Sequence, residues 1–510
     1  MFGSVTRRGF VTGALKAGAV AALGDYAFLN NLPHLSAADV KLTPARLCPD
    51  VEPLVRLVEE TPRARLLEAV IGRIKAGASY QQVLSALLLS GVRRIRPRPV
   101  GFEFHCVLVV NSAHLAALAS ADKDRWLPLL WALDNFKRSQ EIKRDKGDGD
   151  WVLPAVAEGK LPPAHQAKKR FLEAMEAWDE EGADQAIVPW VRSAGAAEVI
   201  EVLWRYGMRD FRDIGHKAIY TANTWRVMQT VGWRHAEPVM RSLAYALLEH
   251  DRKAGNPAKS DLEPDRPWRE NARRVKQIKD GWRYGKVDPK AAADLLACLR
   301  TAKPSEASEK VVDLLNRGVS PASIWDGLFL TCGEILMRRP GIGGLHTVTT
   351  MNALHYAFTA SGNDETRRLA MLQGAAFLPM FREFCERRDP KPKHDVRIDT
   401  LEPDAKEKGS AEAVFADVGK DTVRAARLAL AMAQDNDAAA ESLIAAGRRL
   451  IFNKGNDSHD YKFSSAALED YHHATPPWRP RYLAASLFWM KGTTAPDNGL
   501  IQQARAALKG

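Results

Sequence analysis

Apolar residues along this chain recur at steps of three and four, the spacing of one face of an α-helix. Such stretches include Leu66–Ile74, Val83–Leu89, Val239–Leu248 and Tyr482–Met490. Alternating Val, Ile and Thr runs of the kind that form strands are nearly absent, and prolines separate the helical stretches. The pattern therefore predicts an all-α protein.

One segment of the chain is repeated together with its histidines. Residues 77–117 align without a gap with residues 318–358, and the aligned pairs include Arg98 with Arg339, His105 with His346, and His114 with His355. A weaker match, which needs gaps, pairs His216 with His459. Two repeats are too few for a solenoid. The duplication therefore predicts a single large helical domain built from two pseudo-symmetric repeats.

The N-terminus has the pattern of an export signal. Arg7 and Arg8 stand before Gly-Phe-Val and a run rich in glycine and alanine, as in twin-arginine signal peptides. We expect a signal peptide over residues 1–38, recognition by the twin-arginine export machinery, and a periplasmic or extracellular protein. The alternative is an amphipathic first helix or an uncleaved anchor. The remainder divides into repeat 1 (39–250), a charged linker (251–302) and repeat 2 (303–510).

Composition narrows the classes of partner. Hydrophobic residues make up 46% and charged residues 26%, which are globular values, and no later apolar run is long enough to span a bilayer. The net charge is +11, but acidic residues are interleaved and no nucleic-acid-binding motif is present, so no nucleic-acid partner is expected. The five cysteines are scattered, and no nucleotide-binding motif is convincing. The sequence does not indicate an oligomeric state.

Four histidines occupy matched places in the two repeats, each near the start of an apolar helical run: His105, His216, His346 and His459. Imidazole is a common ligand for Zn, Fe, Cu and Ni. His105 and His114 are nine residues apart, so they point to opposite faces of a straight helix. The same holds for His346 and His355. We therefore expect only the first member of each pair at a metal site between the repeats.

Lys462 is a candidate oxygen ligand. It follows His459 by three residues, so both side chains lie on one helix face. An ammonium group would repel a metal ion, whereas a lysine carboxylated by carbon dioxide offers carboxylate-like oxygens. The alternative is a surface lysine. The matched residue of the first repeat is Ile219, so the site would be asymmetric at this ligand.

Three further residues are candidates for supporting roles around the metal site. His235 and Tyr220 lie close in sequence to His216, and His355 lies nine residues beyond His346. Each could contact a ligand or line a substrate pocket, although helix packing is an alternative for all three.

The motifs around these histidines resemble the questin oxidase-like family. The resemblance is carried by Phe104-His105-Cys106, by Ile214-Gly215-His216-Lys217-Ala218-Ile219, by the segment His346–Leu354, and by His459-Asp460-Tyr461-Lys462. It implies a helical oxygenase with non-haem iron held by four histidines and a carboxylated lysine. On this resemblance the ligands would be His105, His216, His346, His459 and Lys462.

These observations predict a metal-dependent oxidoreductase. Its expected cofactor is Fe(II), its co-substrate is dioxygen, and its substrate is a small organic molecule that is aromatic or otherwise electron-rich. One alternative is an exported zinc or manganese hydrolase. Another is a helical protein that binds a metal or haem without catalysis.

Overall fold

The computed structural model describes residues 43–404 and 409–509, and the regular structure in these ranges is helical apart from two isolated β-bridges. The predicted all-α class is confirmed. The predicted signal peptide over residues 1–38 lies outside the described residues. None of the helices described is both long enough and apolar enough to cross a membrane.

The α-helices are numbered in chain order and have these bounds: α1 Glu52–Glu60, α2 Arg63–Lys75, α3 Tyr80–Arg94, α4 His105–Leu108, α5 Val110–Leu118, α6 Leu127–Asp145, α7 Ala164–Ala177, α8 Glu180–Ser193, α9 Ala196–Gly207, α10 His216–Val231, α11 Ala236–Leu247, α12 Arg266–Arg274, α13 Pro289–Leu299, α14 Pro304–Asn316, α15 Pro321–Arg338, α16 Ile342–Ala360, α17 Asp364–Arg388, α18 Ala411–Asp417, α19 Thr422–Asp435, α20 Asp437–Lys454, α21 Ser458–His473, α22 Arg479–Ser486 and α23 Gly499–Lys509.

The two aligned segments share local structure. Gly77 and Gly318 both adopt positive φ, and Ser79 and Ser320 each cap the helix that follows, α3 and α15. A side-chain oxygen at this position satisfies a backbone N–H that the first helical turn leaves without a partner. The symmetry is broken downstream, because α16 is continuous whereas its counterpart is divided into α4 and α5 at Val109. A two-fold relation between the complete halves stays a prediction.

Residues from both predicted halves share one core. A single hydrophobic cluster extends from Val51 to Ala504. The segment predicted as a charged linker is part of it. Its helices α12 and α13 pack on α17 and α15, and both Leu295 and Leu299 are fully buried. Charged residues on the outer faces of these short helices dominate the local composition, which is why the sequence suggested a solvated linker.

Four helical elements surround the candidate site and pack on one another. Helix α10 contacts α4, α5 and α16, and α21 contacts α4, α5 and α16. His105 and His216 are the first residues of α4 and α10, and His459 is the second residue of α21. His346 lies one turn into α16. The beginnings of these elements therefore meet at one point inside the protein.

Candidate metal centre

Three predicted ligands converge at this point. The Nε2 atom of His216 lies 3.0 Å from Nε2 of His105 and 3.0 Å from Nε2 of His346. Two imidazole nitrogens bonded to one ion at about 2.1 Å lie about 3.0 Å apart when they meet at a right angle. The three histidines thus form a group that could hold a single metal ion.

Each ring is oriented by a hydrogen bond from its other nitrogen. Nδ1 of His105 donates to the carbonyl of Phe102 at 2.7 Å, and Nδ1 of His216 donates to the carbonyl of Asp213 at 2.6 Å. Nδ1 of His346 donates to the carbonyl of Ile342 at 2.7 Å. A carbonyl oxygen only accepts, so Nδ1 carries the proton in all three rings and each neutral ring presents the Nε2 lone pair to the centre.

Converging lone pairs repel one another, and a cation held between them would relieve this repulsion. A protonated Nε2 of His216 could donate to one neighbour, yet this nitrogen is equally close to two. Burial lowers the pKa of His105, His216 and His346 well below the usual value, with a further contribution from the nearby Lys462 charge. The positive ends of helices α4 and α10 also disfavour an imidazolium. The cluster is therefore built from neutral rings, the form that binds metals.

The fourth predicted ligand, His459, lies beside the cluster but is not one of the three histidines whose nitrogens all lie within 4.8 Å of one another. Its ring centroid lies 4.5 Å from that of His105 and 5.3 Å from that of His346. Nδ1 of His459 donates to Oδ1 of Asp457 at 2.7 Å, so Nε2 is again the free nitrogen. Burial opposes ionisation of Asp457, but the hydrogen bonds from His459 outweigh it and lower the pKa of this carboxyl. The His459 side chain remains 17% exposed, which places it on the solvent side.

Lys462 lies beside the four histidines with its amine unsatisfied. Its side chain is buried, and Nζ has no hydrogen-bond partner among the described residues. Burial lowers the pKa of Lys462 to about 7, while the charge of Asp457 acts in the opposite direction. A large fraction of this amine is consequently neutral at neutral pH and could react with carbon dioxide. The surface-lysine alternative is wrong, because the side chain is enclosed.

In metal-free protein the cluster should make the folded state less stable as pH falls. In the unfolded chain the imidazoles are protonated near pH 6.5, whereas in the folded cluster their lowered pKa keeps them neutral to a lower pH. Below that pH the unfolded state binds more protons, so the free energy of unfolding falls by about 1.4 kcal/mol per pH unit for each imidazole that stays neutral. We expect the urea midpoint, measured with a chelator, to drop between pH 7 and 5.

In the variant His216→Gln the urea midpoint should fall less over the same pH range, because one imidazole with a lowered pKa has been removed. An identical decline in the variant and the wild type would contradict the assignment of this stability change to the cluster.

Strained backbone flanks the centre, and the sequence patterns did not indicate it. Phe102 and Ile214 have φ of 47° and 51°, although neither is glycine. Phe102 supplies the carbonyl that holds His105, and Ile214 follows the residue that holds His216. Such conformations cost about 1–3 kcal/mol each and concentrate at functional sites. A backbone carbonyl carries no residue-specific signal, so this part of the site could not be found from composition or spacing.

Two glycines allow other segments to approach His216 closely. A Cβ atom at Gly101 would lie 3.3 Å from Cε1 of the His216 ring. Gly215 has φ of +86°, and a Cβ there would lie 2.1 Å from Oγ1 of Thr350 on α16. The small residue at Gly215 thus lets α10 begin against α16 with His216 facing His346.

The substitution Gly215→Ala should therefore destabilise the protein more than a Gly→Ala substitution at a positive-φ glycine that has open space around it. Gly281 is a matched control, since it has φ of +78° and a Cβ there would meet nothing within 4 Å. We expect Gly281→Ala to lower the free energy of unfolding by about 1 kcal/mol and Gly215→Ala to lower it by about 1–3 kcal/mol more. Urea denaturation measures both. Equal losses would show that contact with Thr350 is unimportant.

The other predicted residues lie outside the cluster. His114 is satisfied by the Tyr80 hydroxyl at Nδ1 and the Thr230 hydroxyl at Nε2. His355 packs edge-on against Trp325, as the helical phase predicted for a residue on the opposite face.

Tyr220 and His235 also lie outside the cluster, and their supporting roles stay predictions. The Tyr220 hydroxyl donates to Ser242, and its ring packs on Phe104, the residue before His105. Burial lowers the pKa of His235, the charge of Arg234 lowers it further, and the charge of Asp50 acts in the opposite direction.

No protein-family model matches this chain, and no curated protein or solved structure matches it significantly.

Proposed function

We propose that this protein is a non-haem iron oxygenase of the questin oxidase-like type, acting with dioxygen on a small electron-rich organic molecule. The observation that carries the proposal is the convergence of neutral imidazoles on one point, each oriented by a hydrogen bond at Nδ1. The order of the histidine motifs along the chain resembles that family.

The donor set favours iron over zinc and haem. Catalytic zinc sites use three protein ligands, whereas this centre offers three converging histidines with His459 and Lys462 beside them. Imidazoles with one oxygen donor suit ferrous iron. The axial imidazoles of a haem lie on opposite faces of the porphyrin, an arrangement that three nitrogens in one cluster do not fit.

The residues of the chain have distinct tasks in this proposal. His105, His216, His346 and His459 hold the ion, and a carboxylated Lys462 supplies an oxygen ligand. Bound iron would supply the capacity to activate dioxygen. The carbonyls of Phe102, Asp213 and Ile342 fix the rings, and Asp457 holds His459 at the rim. His459, the ligand nearest solvent, is the one best placed to move when small molecules enter.

Export is part of the proposal. The twin-arginine route carries folded proteins, so a chain that acquires iron in the cytoplasm could leave with the metal in place. Localisation of the full chain in cell fractions, compared with Arg7→Lys/Arg8→Lys, tests this part. Retention of the double variant in the cytoplasm supports it, and equal distribution of both proteins contradicts it.

Metal analysis and oxygen uptake together test the proposed activity. We expect close to one iron per chain in protein loaded without oxygen, and oxygen consumption that depends on both iron and an electron-rich organic substrate. Zinc in place of iron, with hydrolysis of ester substrates and no oxygen uptake, would support the hydrolase instead. Protein that binds no metal would contradict both enzyme hypotheses.

A further inference from the structure

A cavity lies along α21, the helix that carries the candidate ligands His459 and Lys462. It has a volume of 260 Å³ and is bounded by α5, α20 and α21. This volume is slightly below the usual range for small-molecule sites, about 300–1,000 Å³. The cavity therefore suits a small ligand.

Helical phase relates the cavity to the metal centre. On α21, Lys462 shares a face with Ser465 and Glu469, which line the cavity. Ser112 on α5 lies seven residues after His105, which begins the preceding helix α4. The part of the cavity lined by Ser465 is thus one helical turn from Lys462, on the same face of α21.

The inner end is closed by a pair of serines. The Ser465 hydroxyl donates to the Ser112 hydroxyl at 2.8 Å and lies 3.0 Å from the carbonyl of Lys462. Ser112 is 2% exposed, whereas His472 and His473 at the other end of the lining are exposed. The cavity accordingly opens to solvent beside these histidines and ends one helical turn from Lys462.

The lining combines an apolar wall with one uncompensated positive charge. Leu115, Ile451 and Leu468 supply apolar surface. The carboxylate of Glu469 is engaged by Arg226 at 2.5 Å and by Asn352 at 2.7 Å. Arg448 has no hydrogen-bond or ion-pair partner in the part of the chain that is described, and it is half-buried. A guanidinium group offers paired donors that match the two oxygens of a carboxylate.

We propose that this cavity binds the substrate of the metal centre and that the substrate is a small organic acid, an apolar body carrying one carboxylate. This assignment rests on the proposed oxygenase function. Arg448 binds the carboxylate, and the apolar body lies against Leu115 and Leu468, facing the serine pair.

Calorimetric titration of the full-length protein with matched acids and amides tests the site. The probes are benzoate and phenylacetate, with benzamide and phenylacetamide as neutral counterparts of the same shape. We expect each acid to bind at least about tenfold more tightly than its amide, which corresponds to about 1.4 kcal/mol. Arg448→Gln should remove this preference. Arg449→Gln, at an exposed position next in the chain, should retain it.

Each titration is repeated after removal of metal with a chelator, because carboxylates also bind metal ions directly. Acid binding that persists in metal-free protein and depends on Arg448 supports the site. Acids that bind no better than amides, or an acid preference unaffected by Arg448→Gln, overturn it.

Oxygen uptake by iron-loaded protein separates this proposal from the oxygenase proposal. Stimulation by the acids that bind, lost in Arg448→Gln, supports the substrate role. A different outcome is that the protein binds acids through Arg448 but takes up neither iron nor oxygen. That result would support the carboxylate site and overturn its role in oxygenation.

Discussion

Replacement of His216 by alanine should reduce bound iron to less than about a tenth of the wild-type amount. His216 is the central member of the cluster, since its Nε2 lies 3.0 Å from those of both His105 and His346. Altering even the partners that orient a ligand typically costs 10- to 100-fold in metal affinity, and removing the ligand itself should cost more. Elemental analysis after anaerobic loading and buffer exchange measures the loss, and oxygen uptake should disappear with the iron.

His114→Ala is a suitable control for this experiment. His114 is also buried on a helix of the first half, but both of its nitrogens are engaged by Tyr80 and Thr230. Its loss should lower stability and leave iron binding intact. Wild-type iron content in His216→Ala protein would contradict the metal centre. Equal iron loss in both variants would indicate a general effect on folding.

Replacement of Lys462 by alanine should lower bound iron by about tenfold or more, and a small carboxylate should restore part of it. If Lys462 is the proposed oxygen ligand, the substitution removes it and leaves room beside the histidines for acetate or propionate. Burial lowers the pKa of Lys462 to about 7, so its amine can react with carbon dioxide near neutral pH. Elemental analysis with and without carboxylate measures the rescue.

Two further observations separate carboxylation from a mere packing role for Lys462. Wild-type protein loaded in ¹³C-labelled bicarbonate should show a carbamate carbon by NMR, and Lys462→Ala protein should lack it. The variant Lys462→Met fills much of the same space without an oxygen ligand, so it should fold and remain iron-poor. Normal iron content in Lys462→Ala, or no carbamate signal in the wild type, would refute this role.

Much of the secondary structure and some of the site could be predicted from local patterns. The spacing of apolar residues predicts helices because the hydrogen bonds of a helix join residues four apart. The same geometry predicted that His355 would point away from His346. In the structure the His355 ring packs on Trp325, outside the cluster. The burial of the segment from 251 to 302 was missed, because the charges on its exposed faces hide how its apolar residues pack on α15 and α17.

The amino-acid pattern alone established an all-helical protein with four histidines at matched positions near helix starts. Only the tertiary structure decided that three Nε2 atoms meet, because His105 is 111 residues from His216 and 130 separate His216 from His346. Such meetings depend on how helices pack, and packing is set by side chains distant in sequence. The roles of the carbonyls of Phe102, Asp213 and Ile342 could not be predicted from the sequence for a different reason. Every residue has a carbonyl, so only its direction in the folded chain makes it part of a site.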